Sequence, residues 1–251
     1  MGLSRYPNVR IFEGCRVYSI VQQGTATRVT TSAGAVTAPV VVLATNALVP
    51  QFLPALARSM RAERGQVVVT ELLAAQPCQG SFGTSLAWWR ELREPNGQYR
   101  LLFGGGRTRD EPDSLFPQYQ AGGRPHPQLE AAGFSPSDAH QRRLETQLAL
   151  LFPHVANARI EYRWGGLQSF TGDDLPHIGL LDADRNIWGM AGFCGRGNCH
   201  TNVGAEYLAG KVAGVPSSVE KNFGHLIETL MRPGRDSANW GPWRGLYGTE
   251  V

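Results

Sequence analysis

The sequence predicts a mixed fold of the α+β or α/β class, and three observations support this prediction. Residues 9–47 alternate short β-branched runs with turn residues and end in the continuous apolar run 40–44, which is typical of a strand covered on both faces. Two alternating runs flank Asn96-Gly97, a strong short-range signal for a hairpin. The stretch from Trp164 to Gly214 has the pattern of strand, turn, strand, glycine-rich loop and helix.

The first part of the chain is predicted to form a β-meander. Residues 9–13 and 16–21 are strand-like, and Gly24 marks the turn that follows them. The β-branched alternation of residues 27–31 suits an antiparallel strand, and Gly34 marks a second turn. The buried strand over 40–44 would follow this meander.

The middle of the chain is predicted to be an antiparallel sheet. A short helical segment up to Met60 leads into a strand over 64–71, and residues 86–92 and 98–103 form the hairpin. The run 104–106 is all glycine and lacks the residues and spacing of a phosphate-binding loop, so we interpret it as a bend.

A long loop and one helix are predicted to follow this sheet. Residues 107–134 are rich in proline and glycine without a clear period, which predicts the loop. Pro136, followed by Asp138, favours a helix at about 136–151 with proline in its first turn. Its buried face is expected to carry Leu144, Leu148 and Leu151. A strand over 159–164 would return the chain to the glycine-rich stretch.

The glycine-rich stretch is predicted to end in a helix. A strand is expected over 187–193, after the turn residues Asp182, Asp184 and Asn186. Glycines at 192, 195 and 197 then permit a sharp bend and a close approach to a ligand. The helix would be capped by Asn198, Thr201 or Asn202, and it would end at Gly214. The expected buried face consists of Val203, Tyr207, Leu208 and Val212. A helix N-terminus behind such a loop offers N–H groups to an electron-rich ligand, although the same pattern also fits a tight corner.

Composition and charge bound the function. The chain has 251 residues, 42% hydrophobic and 18% charged, which suits a globular protein of one or two domains. A net charge of +3 without a Lys/Arg run does not favour nucleic acid as a partner. No apolar stretch approaches the roughly 20 residues that a membrane helix needs. Four scattered cysteines and a start without an apolar core predict a reducing, cytoplasmic setting.

The order of residues in the glycine-rich stretch resembles the C-terminal signature of the FAD-dependent amine oxidases of the D-amino acid oxidase superfamily. That signature is Trp-x-Gly-Leu, then Thr-x-Asp-x-x-Pro-x-Ile-Gly, then Gly-x-x-Gly-x-Gly before a helix. The matching residues are Trp164, Gly166, Leu167, Thr171, Asp173, Pro176, Ile178, Gly179, Gly192, Gly195 and Gly197. Residues 40–47 likewise resemble the Val-Val-x-Ala-Thr-Asn-Ala segment of the family.

The resemblance implies an incomplete FAD-binding, Rossmann-like domain and an antiparallel-sheet substrate domain with one face over the flavin. The FAD-binding domain would comprise residues 8–50 and 164–216, and the substrate domain residues 51–163. Residues 217–251 would be a tail that lies as a strap across the body or binds a partner. The aromatic residues of this tail are Trp240, Trp243 and Tyr247.

The dinucleotide-binding unit of the family has no counterpart before Val9. That unit is a strand, Gly-x-Gly-x-x-Gly, a helix and a later acidic residue, and it needs about 30 residues. The resemblance therefore implies a fragment, a truncated product, or a chain whose dinucleotide-binding half is supplied by another chain. FAD would be bound without a covalent bond, and this chain alone would lack the pyrophosphate site.

Two parts of the chain would contact FAD if the resemblance holds. Val17 would lie near the adenine, although it also fits an ordinary core, and Ala44-Thr45 would lie near the dinucleotide. Backbone N–H groups of the glycine loop would stabilise charge on the reduced flavin, and Arg196 would add a positive charge or face solvent. The residues expected to face the isoalloxazine ring are Gly192, Phe193, Cys194, Gly195, Arg196, Gly197 and Asn198.

The implied reaction is hydride transfer to flavin N5 from the carbon that bears a neutral amine, in a small amine or amino acid. Gln168 stands where glycine and D-amino acid oxidases have a carboxylate-binding arginine and sarcosine oxidases have a flavin-linking cysteine. A glutamine can hydrogen-bond a carboxylate but cannot form a bidentate ion pair. Arg90 or Arg163 could replace that arginine or could be surface residues. His177 could face the flavin or have a structural role.

Two metal-like patterns do not qualify as sites. Cys194, Cys199 and His200 give C-x₄-C-H, which is neither a haem attachment motif nor a full zinc set. Residues 182–186 begin like a calcium loop, but the glycine and glutamate of that loop are missing. The alternative to an enzyme is a truncated, non-catalytic paralogue that acts as a binding or subunit-interaction module.

Overall fold

The structure is a computed structural model that describes residues 5–83, 87–105 and 135–235. Its strands are β1 (Val17–Gln23), β2 (Ala26–Thr31), β3 (Gly34–Ala38), β4 (Val41–Leu43), β5 (Met60–Thr70), β6 (Ser81–Gly83), β7 (Ala87–Arg93), β8 (Tyr99–Gly105), β9 (Ile160–Thr171), β10 (His177–Asp182) and β11 (Ile187–Ala191). Its α-helices are α1 (Val49–Phe52), α2 (Asp138–Leu151), α3 (Gly197–Ala213) and α4 (Ser218–Leu230). Short 3₁₀ helices occupy Asn46–Leu48, Pro54–Arg58 and Pro153–Val155.

The strands form three sheets, which confirms the predicted mixed fold with antiparallel sheets. The first is the meander β1-β2-β3, and the second has the order β10-β11-β4, with β4 parallel to β11. The third is antiparallel and has the order β6-β7-β8-β5-β9, so that β9 lies at its edge. The predicted hairpin around Asn96-Gly97 is confirmed as β7 and β8.

The meander differs from its prediction at both ends. The turn at Gly24 is confirmed, but Gly34 already begins β3, because the second turn lies at residues 32–33. The prediction of a strand at residues 9–13 was wrong, since this segment pairs with no strand among the described residues. Its side chains Ile11 and Phe12 are 56% and 68% exposed. An isolated β-branched run lacks the ladder that makes a strand stable.

Strand β4 is covered on one face only, contrary to the prediction for residues 40–44. Leu43 is buried in an apolar core that joins β4 to β1, β11 and the helical segment 46–58. Val42, which points to the opposite face, is 53% exposed. Of the described strands, only β11 pairs with β4, so the other edge of β4 is open.

One face of the five-stranded sheet packs against helix α2. Alternate residues of β5 are buried, and Val68 joins a core formed with β8 and α2 by Leu101, Phe103, Leu144, Leu148 and Phe152. The helix is anchored because the Gln66 side chain accepts from the Ser137 N–H at 2.5 Å and donates to its carbonyl at 3.2 Å. The opposite face of the sheet carries the half-exposed rings of Trp88, Tyr162 and Trp164.

Three predictions about this sheet and helix need correction. Gly104 and Gly105 belong to β8 rather than to a bend, and Gly104 is required because a Cβ there would collide with the Trp88 indole. Gly106 and the predicted loop 107–134 lie outside the described residues. Helix α2 begins at Asp138 with Ser137 as its N-cap, so Pro136 precedes the first turn instead of occupying it. Leu151 is 48% exposed because the helix ends there.

Strand β9 runs without interruption from the substrate sheet into the glycine-rich stretch. It was predicted to span residues 159–164 but continues to Thr171, so the proposed domain boundary at 163/164 falls inside one strand. Hairpin β10–β11 follows, with its turn at residues 183–186 as predicted. Strand β11 ends at Ala191, two residues before the predicted end.

Helix α3 ends at Gly214 in the left-handed conformation, as predicted, but its start and its buried face differ from the prediction. No side chain caps its N-terminus: Thr201 and Asn202 donate instead to the carbonyls of Gly197 and Asn198. Val203 and Val212 are 44% and 39% exposed. The buried residues are Gly204, Tyr207, Leu208 and Gly210, because Gly204 lies directly against Met190 and Ile178.

Helix α4 lies within the part of the chain predicted to be a tail. Its N-cap is Ser217, whose hydroxyl accepts from the Glu220 N–H at 3.1 Å. Ile227 packs with Ile178, Tyr207 and Leu208 in a core shared with α3 and β10. The predicted strap residues Trp240, Trp243 and Tyr247 lie outside the described residues. In the described ranges, no helix is long and apolar enough to cross a membrane.

Candidate functional site

A cavity of about 420 Å³ lies where the glycine loop (residues 192–197) meets the five-stranded sheet. In the sheet, Trp88, Gly104, Val67 and Trp164 form one row, and Gln168 lies four residues from Trp164 on the same face. The volume is within the usual range of small-molecule sites. The cavity is lined by Asn46, Trp88, Gln168, Ser169, Phe193, Gly195, Gly197 and Asn198.

The glycine loop is hydrogen-bonded along the outer edge of β9. The N–H groups of Gly192 and Cys194 donate to the Ser169 hydroxyl and carbonyl, both at 2.9 Å. The Ser169 hydroxyl donates in turn to Asn46 Oδ1 at 2.7 Å, and Asn46 Nδ2 donates to the Leu167 carbonyl at 3.0 Å. Ser169 and Asn46 therefore fix three separate segments of the chain around the cavity.

Cys194 lies behind the loop and holds it to Thr171. Its backbone has φ 52°, and its buried thiol donates to the Gly192 carbonyl at 3.2 Å. The Thr171 N–H and hydroxyl lie 3.4 and 3.3 Å from the sulfur. Burial raises the pKa of the Cys194 thiol despite the hydrogen bonds from Thr171. A protonated, buried thiol is a structural contact rather than a nucleophile.

The N-terminus of α3 presents backbone donors at the cavity. Gly195, Gly197 and Asn198 line the cavity, and their N–H groups have no acceptor in the described part of the chain. Unpaired N–H groups and a positive dipole end are expected at the start of a helix of 17 residues. These groups can stabilise an electron-rich edge of a ligand.

Gln168 lies flat over the neighbouring strand. Its ladder partner is Glu63, and a Cβ added to Gly65 would lie 2.7 Å from Gln168 Nε2. Because Gly65 has no side chain, it leaves room for the Gln168 carboxamide to pack on the sheet beside the cavity. The side chain has no hydrogen-bond partner among the described residues, so its donor and acceptor can serve a ligand.

The arginines considered from the sequence do not reach this cavity. Arg90 is exposed in the row that also contains Tyr162, six residues along β9 from Gln168, which is about 20 Å at 3.3 Å per residue. Arg163 points to the helix side of the sheet and donates to Glu145 at 2.9 Å. Arg196 donates to the Asp174 carbonyl at 2.6 Å. The structure therefore brings Gln168 to the cavity but not these three side chains.

His177 is fully buried behind the cavity and does not line it. Arg235 donates to His177 Nδ1 at 3.0 Å, and Ser59 Oγ lies 3.1 Å from Nε2, which assigns the neutral tautomer with hydrogen on Nε2. Burial, with the charge of Arg235, lowers the pKa of His177 to about 4. A neutral core histidine is the role that this geometry supports.

Arg235 fixes the turn before β10. Its guanidinium donates to both carboxylate oxygens of Asp173, at 2.6 and 3.0 Å, and to the carbonyls of Leu175 and Pro176. Burial alone would raise the pKa of Asp173, but the Arg235 hydrogen bonds outweigh it and lower the pKa. This role of Arg235 is not predictable from the sequence, because no local pattern links positions 62 residues apart.

The remaining predicted cofactor residues lie beyond this cavity. Val17 is half-buried against the apolar core that joins β1, β4 and β11. Ala44 is exposed at the carboxyl end of β4. The Thr45 hydroxyl oxygen is buried without a hydrogen-bond partner in the described residues. Asn46, which adjoins them, does line the cavity and was missed. Its φ of 48° is a backbone strain that the family pattern alone does not indicate.

Among the described residues, no group of three or more His, Cys, Asp or Glu side chains could hold a metal ion. All four cysteines, which lie in those ranges, are free.

Comparison with known proteins shows which proteins the chain resembles. A family model described as "DAO: FAD dependent oxidoreductase" matches residues 5–210. Gamma-glutamylputrescine oxidoreductase from Escherichia coli (strain K12) is 29% identical over 211 residues, which cover 78% of this chain and 43% of that protein. The chain spans about half the length of the relatives that it matches.

Solved structures share the fold. Glycine oxidase from Bacillus cereus ATCC 14579 has a TM-score of 0.62 at 17% identity, over 88% of this chain and 53% of that chain. L-Proline dehydrogenase from P. horikoshii has a TM-score of 0.58 at 20% identity, over 82% of this chain and 52% of that chain.

Proposed function

Because this chain belongs to the DAO family of FAD-dependent oxidoreductases, we propose that its cavity receives the isoalloxazine part of FAD during oxidation of a small amine or amino acid. The observation that carries the proposal is the meeting of three features around one cavity: the glycine loop, the N-terminus of α3 and Gln168 on the open sheet face. The DAO match spans both the loop and the sheet.

The lining residues suit a flat ring system with an electron-rich edge. The N–H groups of Gly195, Gly197 and Asn198 would hold that edge and stabilise the negative charge that develops on it. The rings of Trp88 and Phe193 provide apolar surface that excludes water. FAD, when bound, supplies the acceptor for a hydride from the carbon that bears the amine.

Gln168 is the residue of this chain that would contact the substrate. Its carboxamide can donate to and accept from polar substrate atoms, whereas Ser169 and Asn46 position the loop beside it. Arg90 and His177 have no part in this site, because one is about 20 Å away along the sheet and the other is a buried core residue.

We propose further that residues outside the described ranges complete the dinucleotide side of the site, either in the same protein or in a separate chain. The open edge of β4, the exposed Val42 and the unpaired Thr45 hydroxyl support this proposal. FAD would be held without a covalent bond, since Gln168 cannot link to the flavin. The free thiols fit the predicted cytoplasmic location.

The second candidate function is a non-catalytic binding or subunit-interaction module derived from such an enzyme. It is favoured by one observation: Gln168 replaces the carboxylate-binding arginine, and no described arginine lines the cavity in its place. This function predicts no flavin binding at the cavity.

Flavin titration distinguishes the two functions. The purified protein is titrated with FAD and with riboflavin, which carries the isoalloxazine ring without pyrophosphate, and the flavin absorbance and fluorescence are recorded. We expect both flavins to bind. ADP should neither displace riboflavin nor reverse the spectral change that riboflavin shows on binding. If neither flavin changes its spectrum on addition of protein, the proposed cofactor site is wrong.

A pair of asparagines on α3 provides the matched control. Asn198 lines the cavity, whereas Asn202 is exposed one turn further along the helix. We expect Asn198→Trp to weaken riboflavin binding at least tenfold because the indole fills the cavity, and Asn202→Trp to leave it unchanged. Equal effects of the two variants would place the flavin elsewhere.

A further inference from the structure

The chain beyond the family match returns to the turn between β9 and β10 (residues 172–176). The DAO match ends at residue 210, close to the end of α3. Helix α4 then packs against α3, and Lys211 joins the two helices through Glu220 and Glu228 at 2.8 and 2.7 Å. Arg235, five residues after the end of α4, reaches the β9–β10 turn. A segment outside the family match therefore contacts the strand that borders the cavity.

Arg235 binds the β9–β10 turn through several groups at once. Its guanidinium donates to both carboxylate oxygens of Asp173, at 2.6 and 3.0 Å, and to the carbonyls of Leu175 and Pro176. The Arg235 side chain is only 9% exposed. A bidentate, charge-assisted pair of this kind fixes the geometry of its partners as well as their separation. Arg235 therefore determines the conformation of the turn.

The centre of the turn is a strained residue that two arginines hold. Asp174 has φ 60°, in the left-handed region. Arg196, the N-cap residue of α3, donates to the Asp174 carbonyl at 2.6 Å, and Arg235 binds the residues on either side. A strained conformation of a residue other than glycine persists only where its surroundings over-determine it, and such positions cluster at functional sites. The two contacts meet this condition.

Thr171 connects the turn to the glycine loop. Its hydroxyl donates at 2.9 Å to the Leu175 carbonyl, which Arg235 also binds. The Thr171 methyl group packs directly against Gly192, and the Thr171 N–H lies 3.4 Å from the Cys194 sulfur. A displacement of the turn would therefore move the loop that lines the cavity.

We propose that Arg235 is a positioning residue for the cavity: it fixes the β9–β10 turn and, through Thr171, the orientation of the glycine-loop N–H groups. The inference rests on the proposed function, in which these N–H groups bind the flavin. Arg235 is not among the residues that line the cavity, so its effect is indirect. The segment after residue 210 is then part of the cofactor site rather than a tail.

Amide NMR spectra of the flavin-free protein test this connection. Arg235→Met removes the guanidinium but keeps a long side chain. Lys211→Met is the matched control, because it removes the ion pairs that join the same helices near the other end of α3. We expect the N–H resonances of Gly195 and Gly197 to shift in Arg235→Met only. An unchanged loop in Arg235→Met, or equal shifts in both variants, overturns the proposal.

Riboflavin binding measures the consequence for the cavity. We expect the Kd for riboflavin, followed by flavin absorbance and fluorescence, to rise about tenfold in Arg235→Met and to stay unchanged in Lys211→Met. Arg235→Lys keeps the charge but loses the planar fork, so its Kd should lie between those of Arg235→Met and the wild type. If circular dichroism shows that Arg235→Met is unfolded, Arg235→Lys is compared with Lys211→Met instead. A folded Arg235 variant that binds riboflavin as the wild type does overturns the proposal.

A double-mutant cycle tests whether Arg235 acts through the turn. Asp173→Asn removes the carboxylate charge but keeps the oxygen that accepts from the Leu175 N–H. If Arg235 acts through the turn, the double variant Arg235→Met/Asp173→Asn binds riboflavin no more weakly than Arg235→Met alone. Additive losses would mean that the two residues act independently, which contradicts the proposal.

The outcomes separate this inference from the proposed function. If riboflavin binds the wild type but the loop resonances do not respond to Arg235→Met, the positioning role is wrong and the flavin site remains. If the loop resonances respond while no flavin binds the wild type, Arg235 positions the loop and the proposed function is wrong.

Discussion

Two regions beside the sheet β10-β11-β4 differ in how fully the described residues hydrogen-bond them: the glycine loop after β11 and the outer edge of β4. At the glycine loop that follows β11, hydrogen bonds from Gly192, Cys194 and Asn46 attach the chain to the outer edge of β9. At β4, one edge of the strand has no partner among the described residues, and Val42 is 53% exposed. We call the glycine loop with its contacts to β9 the closed region, and the edge of β4 that is unpaired among the described residues the open region.

In the proposed flavin site, this difference separates the wall that the described residues form from the side that they leave open. The wall next to the cavity is held together by Ser169 and Asn46, which link three segments through hydrogen bonds of 2.7 to 3.0 Å. The outer edge of β4 has no strand partner in the part of the chain that the structure describes, and native proteins normally cover such an edge. We therefore expect substitutions to be costly at the closed region and mild at the open one.

The largest effect is expected at Gly192 in the closed region. Its φ is 76°, and a Cβ would lie 2.5 Å from Thr171 Cγ2, so Gly192→Ala adds a collision to backbone strain. The sum is about 4 kcal/mol of unfolding free energy, measured by urea denaturation. Gly195→Ala is the matched control, because φ is 78° there and a Cβ would meet nothing within 4 Å. It should cost only about 1 kcal/mol. Similar losses at both sites would mean that the loop does not pack on β9 as described.

A pH dependence of nearly the same size is expected from His177, which also lies in the closed region. Its pKa is about 4 when folded and 6.5 when unfolded, so the unfolded chain binds the extra proton between these values. The stabilisation is complete above pH 6.5 and is lost as the pH falls toward 4, by about 3 kcal/mol. Urea denaturation between pH 7 and 4 measures this loss.

The variant His177→Gln isolates the contribution of this histidine. The pKa of His200 is also lowered, by burial and by Arg196, so part of the slope belongs to His200 and persists in the variant. The lowered pKa of Asp173 acts only below its usual value of 3.8. A wild-type slope that is unchanged in His177→Gln would contradict the buried neutral tautomer.

In the closed region, the sequence predicted the backbone elements better than it predicted the side-chain contacts between them. The turn residues and glycines are local signals, and they located hairpin β10–β11, the loop and the end of α3 at Gly214. By contrast, the role of Ser169 depends on Asn46, which is 123 positions away, and His177 depends on Arg235. Because such contacts form only in the folded chain, neither residue pattern nor period reveals them.

Two errors have local causes. Helix α4 was missed although Ser217 and Glu220 form the capping pattern that starts it, because the glycines, proline and arginines beyond it favoured a tail. The α3 face was misassigned because the apolar residues were taken as buried, whereas the contact surface is centred on Gly204. A small residue is buried there to allow close packing.

A smaller effect is expected at Ser169, whose hydroxyl joins the glycine loop to Asn46. Ser169→Ala leaves the buried Gly192 N–H and Asn46 Oδ1 without these partners, which should cost about 2 kcal/mol. Ser32→Ala removes a similar hydroxyl that accepts from the Arg16 N–H at 3.0 Å, but in the exposed meander. Water replaces that partner, so about 0.5 kcal/mol is expected. If both variants lose the same amount in urea denaturation, burial does not distinguish the two regions.

The smallest effect is expected at Val42, in the open region. Because its side chain is 53% exposed, Val42→Ala should change the unfolding free energy by no more than about 0.5 kcal/mol. Val68→Ala, in a strand position that is fully buried against α2, should cost about 2 kcal/mol. Urea denaturation of both variants gives the comparison. If Val42→Ala costs as much as Val68→Ala, this face of β4 is covered in solution, by residues beyond the described ranges or by another chain. In that case the difference in stability between the two regions would disappear.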